Sequence, residues 1–401
     1  MRTIRFGHRS RRRRALAAGS AVVLSLAVGT GVGTAQPKAT KLPPAKTFNV
    51  ALIGSDSGTN ADLGTWDYQG TTLAAAYINS HPSAFHNVHV KITKFDDQGD
   101  PTTAANLAQE VASGHYDLVY GSSLSTDTLA MMPVLSAAHI PEVTSGQSNA
   151  ILAQGDGYVF LNSAPSSIYD ATLAKYAFDK LGDSRVAMLT NNDSYGASEH
   201  TAMLANLTAR GLTPTDDEVV VPTATDMTGA LSLIAKANPK VLFLGMEEVQ
   251  SGLAVKQARA LGIKAVILEG APAATPIYVQ TAGLSNVVGT IVSSPYLSNT
   301  LNAQTKAFAA AYMKAFGVAP ELHGAKAYDG MMIVATALNM LKGKWTGPTL
   351  AAAMHRVKYT GLTGKFVFDS RGLGLHATQI AVINNKGALV IPKNAVSRPS
   401  K

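Results

Sequence analysis

The stretch FNVALIG, residues 48–54, is a short apolar run that ends in glycine. Similar apolar runs recur at residues 88–95, 118–120, 186–190, 241–245 and 266–268. Segments with helical periodicity lie between them, at 70–79, 101–113, 126–138, 166–181, 195–209, 227–237 and 250–261. Short apolar runs that alternate with helical segments are typical of βαβ units on a parallel sheet. The sequence therefore predicts an α/β fold.

These predicted elements fall into two series, residues 47–163 and 164–292, each long enough for a doubly wound parallel-sheet lobe. After residue 293 the pattern changes to two long helices and then to short strands, at 303–316, 323–341, 365–368, 379–383 and 388–391. This last part is too short to form another doubly wound domain. We expect 293–363 to complete lobe 1 and 364–395 to complete lobe 2, so that the chain crosses between the lobes more than once.

The first 35 residues contain seven arginines and no other charged residue. An uncharged apolar stretch at 15–32 follows the arginines, and small residues, Gly33 and Ala35, come next. This order is typical of a secretory signal peptide. A retained membrane anchor is the alternative, because an apolar stretch of this length reaches the lower limit for spanning a bilayer. We expect a signal peptide at 1–35, a linker at 36–46, and a protein that is secreted or held in the cell envelope.

Charge and cysteine content exclude several functions. The chain has a formal charge of +8, but beyond residue 35 it has 27 basic and 26 acidic residues, so that part is nearly neutral. We therefore expect no nucleic-acid partner. The chain contains no cysteine, which excludes disulfides, thiolate metal sites, a cysteine nucleophile and lipid attachment through cysteine. We expect no lipid anchor.

Two polar loops of the first series are candidates for ligand binding. Ser125 and Thr126 follow strand 118–120, and Gln147 and Ser148 lie in the loop 144–149. In two facing parallel-sheet lobes, the carboxyl ends of the strands and the next helix N-termini surround one cleft. Hydroxyls and free N–H groups there suit a ligand carboxylate. Helix capping is the alternative for the first loop, and an ordinary turn is the alternative for the second.

The second series offers an aromatic residue and carboxylates at corresponding positions. Tyr195 follows strand 186–190 and is placed to lie over a ligand, with a buried structural tyrosine as the alternative. Glu247 and Glu269 lie at the ends of later strands, where a carboxylate suits an ammonium group. A charge that only stabilises a helix N-terminus is the alternative, and it applies to at least one of the neighbours Glu247 and Glu248.

Several short motifs occur in the order seen in branched-chain amino-acid-binding proteins. They are VALIG at 50–54, FDDQGDP at 95–101, YGSS at 120–123, SYG at 194–196 and QARALG at 257–262. Over residues 46–395 the chain resembles this family of extracytoplasmic solute-binding proteins of ABC importers. The resemblance implies a type I periplasmic-binding fold, with two doubly wound lobes joined by a three-crossover hinge that close on a ligand. It also implies a small-molecule ligand and an ABC permease complex as partners.

The resemblance also implies roles for the residues of the first lobe and for Tyr195. Ser125 matches the position that holds the ligand carboxylate, and Gln147 and Ser148 match the adjoining loop. Tyr195 matches a residue that contacts the ligand from the other lobe.

On the ammonium side the chain departs from the family pattern. Glu269 lies near a position where relatives have an ammonium-binding acid, and Glu247 replaces an aromatic residue that is common there. Pro165 and Ala271 occupy the two positions where relatives carry the ammonium-binding acids themselves. The ligand therefore stays open among branched-chain amino acids and related amides or carboxylates.

No motif assembles into a catalytic or metal site. Residues 54–58, GSDSG, have aspartate where a nucleophile elbow needs serine. His81, His86 and His89 lie in a turn and at a strand start, far from other ligand residues. Asp100 precedes Pro101, which is typical of a helix N-cap rather than of a calcium loop. We expect a monomeric binding protein, without enzymatic activity, cofactor or metal. A ligand sensor that signals through a membrane receptor and a secreted hydrolase are the alternatives.

Overall fold

The computed structural model describes residues 42–182, 185–297, 302–375 and 378–393. The predicted signal peptide and the first part of the linker lie outside these ranges. Within them, no helix has both the length and the apolar character needed to cross a membrane. We number strands and helices in chain order.

The first lobe is built around a five-stranded parallel sheet. Its strands are β1 (Lys46–Gly54), β2 (Val88–Asp96), β3 (Leu118–Tyr120), β4 (Glu142–Thr144) and β5 (Val159–Leu161), and the helices between them are α1 (Ala61–Ser80), α2 (Pro101–Ser113), α3 (Ser125–Ala137) and α4 (Asn149–Gln154). The spatial order is β2-β1-β3-β4-β5. β1 reads as a continuous apolar run because helices cover both faces of the sheet: Val50 and Leu52 pack on one side, Ala51 and Ile53 on the other.

The second lobe repeats this arrangement. Its helices are α5 (Ser166–Leu181), α6 (Ser194–Thr208), α7 (Thr228–Ala237), α8 (Glu248–Ala260), α9 (Pro276–Ala282) and α10 (Leu284–Val287), with a short 3₁₀ helix at Ala271–Ala274. Its strands from this part of the chain are β6 (Val186–Asn191), β7 (Asp216–Val220), β8 (Val241–Gly245), β9 (Val266–Glu269) and β10 (Ile291–Ser294). These five strands are parallel to one another, so their carboxyl ends meet at one edge of the sheet.

The rest of the chain is shared between the two lobes. The helices α11 (Ala303–Phe316), α12 (Leu322–Met340) and α13 (Gly347–Met354) are followed by a small antiparallel sheet of β11 (Lys358–Gly361), β12 (Gly364–Phe368) and β13 (Gly374–Leu375). α12 and α13 pack into the core of the first lobe. The strands β14 (Gln379–Ile383) and β15 (Leu389–Val390) extend the second sheet in antiparallel pairing, giving the order β15-β14-β10-β9-β8-β6-β7.

The prediction of an α/β fold with two doubly wound lobes is confirmed, and the chain passes between them after β5, β10 and β13. The limits of the lobes differ from those expected at two places. β10 extends to Ser294 in the second sheet. From the sequence we expect residues from 364 onward in the second lobe. β12 packs on the first lobe instead, because Phe366 and Phe368 bury their rings in the first core beside Phe160. The passage to the second lobe therefore comes after β13.

Candidate functional site

A narrow cavity lies between the two lobes, where the carboxyl ends of their strands face each other. Its lining comes from Ser123, Ser145, Gln147 and His323 of the first lobe and from Tyr195, Glu247, Glu248, Ala271 and Pro272 of the second. Ligand sites in open α/β sheets occur at this edge.

The loop after β3 brings Ser123 to the cavity. Gly121 precedes it with a φ of +118°, and a Cβ there would lie 1.8 Å from the carbonyl oxygen of Ile53, so the loop can pass so close to β1 only with glycine. The hydroxyl of Ser123 donates a hydrogen bond to Oδ2 of Asp67, at 2.7 Å. Burial raises the pKa of Asp67 to about 7, although Ser123 and the ammonium group of Lys326 both favour the carboxylate. The Ser123 hydroxyl hydrogen is thus already engaged.

Ser125 and Ser148, two of the predicted carboxylate ligands, make their hydrogen bonds within the first lobe. Oγ of Ser125 accepts the backbone N–H groups of Gln147, at 3.1 Å, and of Ser148, at 3.2 Å. Oγ of Ser148 accepts the N–H of Ala150 and caps α4. Both side chains are buried, and neither is among the residues that line the cavity. Gln147 does line it.

Thr126 joins the two lobes. Its Oγ1 accepts the N–H of Ser194, the first residue of α6, at 3.1 Å. A second bond of this kind runs from the N–H of Asn149 to Oγ of Ser198, at 3.0 Å. In both, a helix start of the first lobe meets α6 of the second. Thr126 therefore holds the lobes together at the edge of the cavity.

Tyr195 lies at the start of α6 with only 5% of its surface exposed. Asp193 caps this helix, because its Oδ1 accepts the N–H of Gly196 at 2.7 Å. Burial raises the pKa of Tyr195 well above its ordinary value, and the nearby carboxyls of Glu199 and Glu247 add to this effect. The side chain is thus a neutral phenol in the wall of the cavity.

Two buried carboxyl groups lie behind Tyr195. Asp170 on α5 and Glu199 on α6 are almost fully buried, and they face each other. Burial raises the pKa of Glu199 to about 7, while hydrogen bonding from Ser166, Asp170 and Tyr195 works in the opposite direction. Burial, and then the charge of Glu199, raises the pKa of Asp170 well above its ordinary range. Such a pair shares a proton at neutral pH.

The two predicted glutamates have different positions. Glu247 lines the cavity from the N-cap position of α8, where its side chain makes no capping hydrogen bond. Burial raises its pKa well above the ordinary value, and Glu248 is the next largest cause. Glu269 is fully buried in β9 and is not among the residues that line the cavity. Burial raises its pKa as well, with Ser251 as a neighbour.

His323, which the sequence analysis does not single out, also connects the lobes. From the first turn of α12 its Nε2 lies 2.9 Å from Oε1 of Glu248 on α8. Trp66 stacks on its ring with the centroids 5.6 Å apart. Burial lowers the pKa of His323, so the imidazole is neutral. Glu248 also acts on Asp62 of α1 in the first lobe. Burial, and then the charge of Glu248, raises the pKa of Asp62 to about 7.

Lys326 is a buried cation behind the first-lobe wall. The side chain is 0% exposed, and its Nζ lies 3.4 Å from the carbonyl oxygen of Ser145. Burial lowers its pKa, whereas Asp67 and Glu321 favour the charged form. The lysine thus offsets carboxylates of its own lobe and also acts on Glu248 and Glu247 of the second.

The chain has clear relatives. A family model described as a periplasmic binding protein matches residues 47–388. The chain belongs to this family.

Two curated members show how distant its relatives are. The Leu/Ile/Val-binding protein of Escherichia coli (strain K12) is 24% identical over 246 residues, which is 61% of this chain and 65% of that protein. The match thus spans slightly less than two thirds of the relative. An amino acid binding protein of Pseudomonas aeruginosa is 23% identical over 296 residues, 72% of this chain and 78% of that protein.

Solved structures of the family share the fold. The branched-chain amino acid transporter substrate binding protein LivJ from Streptococcus pneumoniae, in complex with isoleucine, has a TM-score of 0.79 at 21% identity, covering 88% of this chain and 100% of that one. A solute binding protein of an ABC transporter from Rhodopseudomonas palustris, in complex with 3,4-dihydroxy benzoic acid, has a TM-score of 0.79 at 23% identity, covering 88% and 98%. These relatives are substrate-binding proteins of transporters, and their ligands differ in chemistry.

Within this periplasmic binding protein, the cavity brings together three of the seven predicted site residues, Gln147, Tyr195 and Glu247. Ser125, Thr126 and Ser148 lie in the same loops but bond to protein groups, and Glu269 lies deeper in the second lobe. No group of three or more His, Asp or Glu residues in the described ranges is arranged to hold a metal ion. The cavity offers groups for non-covalent binding.

Proposed function

We propose that this protein is the extracytoplasmic solute-binding protein of an ABC importer and captures a small polar metabolite between its lobes. The observation that carries the proposal is the interlobe cavity, with polar walls from both lobes and cross-lobe hydrogen bonds at its edge. A ligand that contacts both walls binds only the closed form, so it shifts the lobes toward closure. Family membership and the ligands of the relatives support this function.

In this proposal the ligand is a branched-chain amino acid or a related amide or carboxylate. In our proposal Tyr195 and Glu247 contact the ligand from the second lobe, and Gln147 contacts it from the first. Ser125, Thr126 and Ser148 shape the loops that carry those contacts. Binding is non-covalent, and reopening of the lobes would release the ligand to an ABC permease.

A thermal-shift screen tests this proposal on protein that has been stripped of ligand by unfolding and refolding. The panel contains amino acids, amides, urea, and aliphatic and aromatic acids. A true ligand at 100 times its Kd stabilises the native state by about 2.7 kcal/mol, which raises the Tm visibly. We expect at least one compound to raise the Tm, to be recovered unchanged, and to bind Tyr195→Ala at least tenfold more weakly.

Tyr77→Ala is the matched control, because Tyr77 is an exposed tyrosine of α1 outside the cavity. It should bind the same compound normally. A panel that leaves the Tm unchanged, or a compound that binds Tyr195→Ala as tightly as the unmodified protein, would contradict the proposed site. Conversion of the compound into a product would instead favour an enzyme.

A further inference from the structure

We propose that the ligand presents a cationic, N–H-donating head group, an ammonium or amidinium, and that Glu247 is its partner in the cavity. This inference rests on the proposed function and narrows the ligand range to compounds with a positive charge. A ligand carboxylate is not required. The argument depends on which wall groups are already paired and which are not.

Glu247 is the first unpaired group. It lines the cavity, and its side chain forms neither a hydrogen bond nor an ion pair with any described residue. The other charges that act on it most strongly are carboxyls, those of Glu248, Asp193 and Asp62. The side chain is partly exposed, so its carboxyl group is open to a ligand, and a cation within hydrogen-bond reach offsets the repulsion from the neighbouring carboxyls. A ligand that enters this cavity with an ammonium group supplies the missing charge.

His323 is the second unpaired group. Its Nε2 lies 2.9 Å from a carboxylate oxygen of Glu248, which can only accept, so Nε2 carries the proton of the neutral ring. Nδ1 is then an acceptor. This atom is buried in a side chain that is only 6% exposed, and it has no hydrogen-bond partner among the described residues. The His323 ring therefore carries a second acceptor that lacks a donor.

Several donors that an anionic ligand would need are, by contrast, already used. Ser123 donates to Asp67, and the backbone N–H groups of Gln147 and Ser148 donate to Ser125. Lys326, the buried cation behind this wall, has its Nζ at the carbonyl of Ser145. Because these donors are engaged while Glu247 and Nδ1 of His323 lack a donor, a ligand with N–H donors on a positive charge complements this wall.

Isothermal titration of ligand-stripped protein at pH 7.5 tests the inference with two series of matched head groups. The compounds are 3-methylbutylamine, 3-methylbutanamide and 3-methylbutanoate, and benzylamine, benzamide and benzoate. We expect an amine to bind at least tenfold more tightly than the amide and the acid of its own series. Glu247→Gln should remove that preference by weakening amine binding at least tenfold, and more than it weakens amide binding.

Glu110→Gln is the matched control, since Glu110 is an exposed carboxylate on α2, and it should bind like the unmodified protein. Circular dichroism and Tm show whether Glu247→Gln folds. If an amide or an acid binds most tightly, and Tyr195→Ala abolishes that binding, the cationic ligand is refuted while the proposed function stands. If no amine binds, the inference is also refuted, and the wider thermal-shift panel decides the proposed function separately.

Discussion

Ser125 holds two loops of the first lobe together through a single hydroxyl, which accepts two backbone N–H groups. Ser125→Ala leaves both N–H groups buried without an acceptor, and a lost buried partner costs about 1–3 kcal/mol. We expect urea denaturation to show a lower free energy of unfolding by about that amount. Ligand affinity should fall too, because Gln147 loses its fixed position.

Ser113→Ala provides the comparison for Ser125→Ala. Ser113 is exposed at the end of α2, and its hydroxyl donates to the carbonyl of Gln109. Its loss should change the free energy of unfolding by only a few tenths of a kcal/mol, within about 0.5, as surface substitutions do. If Ser125→Ala is as stable as Ser113→Ala, the two N–H groups have found other acceptors and the structural role of Ser125 is wrong.

For single residues, the sequence predicts the position in the fold better than it predicts the hydrogen-bond partner. Strand ends place Gln147, Tyr195 and Glu247 near one cleft, and they do line it. Whether a hydroxyl binds a ligand or its own backbone depends on distances of a few tenths of an ångström, which the sequence does not reveal for Ser125. His323 could not be found at all, because its partner Glu248 is 75 residues away in the chain.

Helix α6 carries Tyr195 and Glu199, and its start depends on the cap by Asp193. Asp193→Ala removes this cap, which costs about 1 kcal/mol, and loosens the turn that presents Tyr195. We therefore expect both the free energy of unfolding and ligand affinity to fall. Calorimetric titration and urea denaturation measure the two effects.

Two further variants separate the cap from other effects of Asp193. Asp193→Asn keeps a side chain that caps well and removes the charge, so it should retain most of the stability and affinity. Asn302→Ala removes the equivalent cap of α11, where Oδ1 accepts the N–H of Thr305 at 2.8 Å, and it should lower stability alone. Equal losses of affinity in Asp193→Ala and Asn302→Ala would show that α6 has no special role.

Among elements, long periodic segments are the most predictable. The expected bounds of α2, α5 and α11 agree with the structure, and the N-cap by Asp100 is confirmed, because its side chain accepts the N–H of Thr103. The strands β4 and β5 were not expected, since each has only three residues and β4 contains Glu142 and Thr144. A fragment so short has no periodicity, and only its neighbours in the sheet make it a strand.

For the molecule as a whole, the sequence indicates two lobes but not where the chain leaves them. Their place in the chain does not decide to which lobe residues 364–368 belong, because they follow first-lobe helices and precede a second-lobe strand. Burial of Phe366 and Phe368 against the first core decides the matter. Closure of the lobes cannot be predicted from the sequence either. It depends on groups from different lobes, such as Thr126 and Ser194, that meet only in the folded molecule.

Closure of the lobes should depend on pH through Asp62. This carboxyl lies on α1 of the first lobe, and burial together with Glu248 of the second lobe raises its pKa to about 7. Opening separates the two, so the closed form binds more protons, and closure is favoured at low pH and weakened as the pH rises through 7. His323 acts in the opposite sense. Burial lowers its pKa, so protonation of the ring in acid makes closure less favourable. Glu247 and Lys326 also face this cluster from α8 and α12, and each has a pKa shifted mainly by burial.

Small-angle X-ray scattering of ligand-free protein between pH 6.5 and 8.5 tests the contribution of Asp62, because this range covers the titration of its carboxyl group. We expect the radius of gyration to increase with pH as the lobes open. Asp62→Asn cannot ionise, so its radius of gyration should stay at the compact value across the range. Asp226→Asn, at an exposed position in the loop before α7, should keep the pH dependence of the unmodified protein. If Asp62→Asn opens with pH as the unmodified protein does, another group must control closure, and Glu247 would be the next carboxyl to replace.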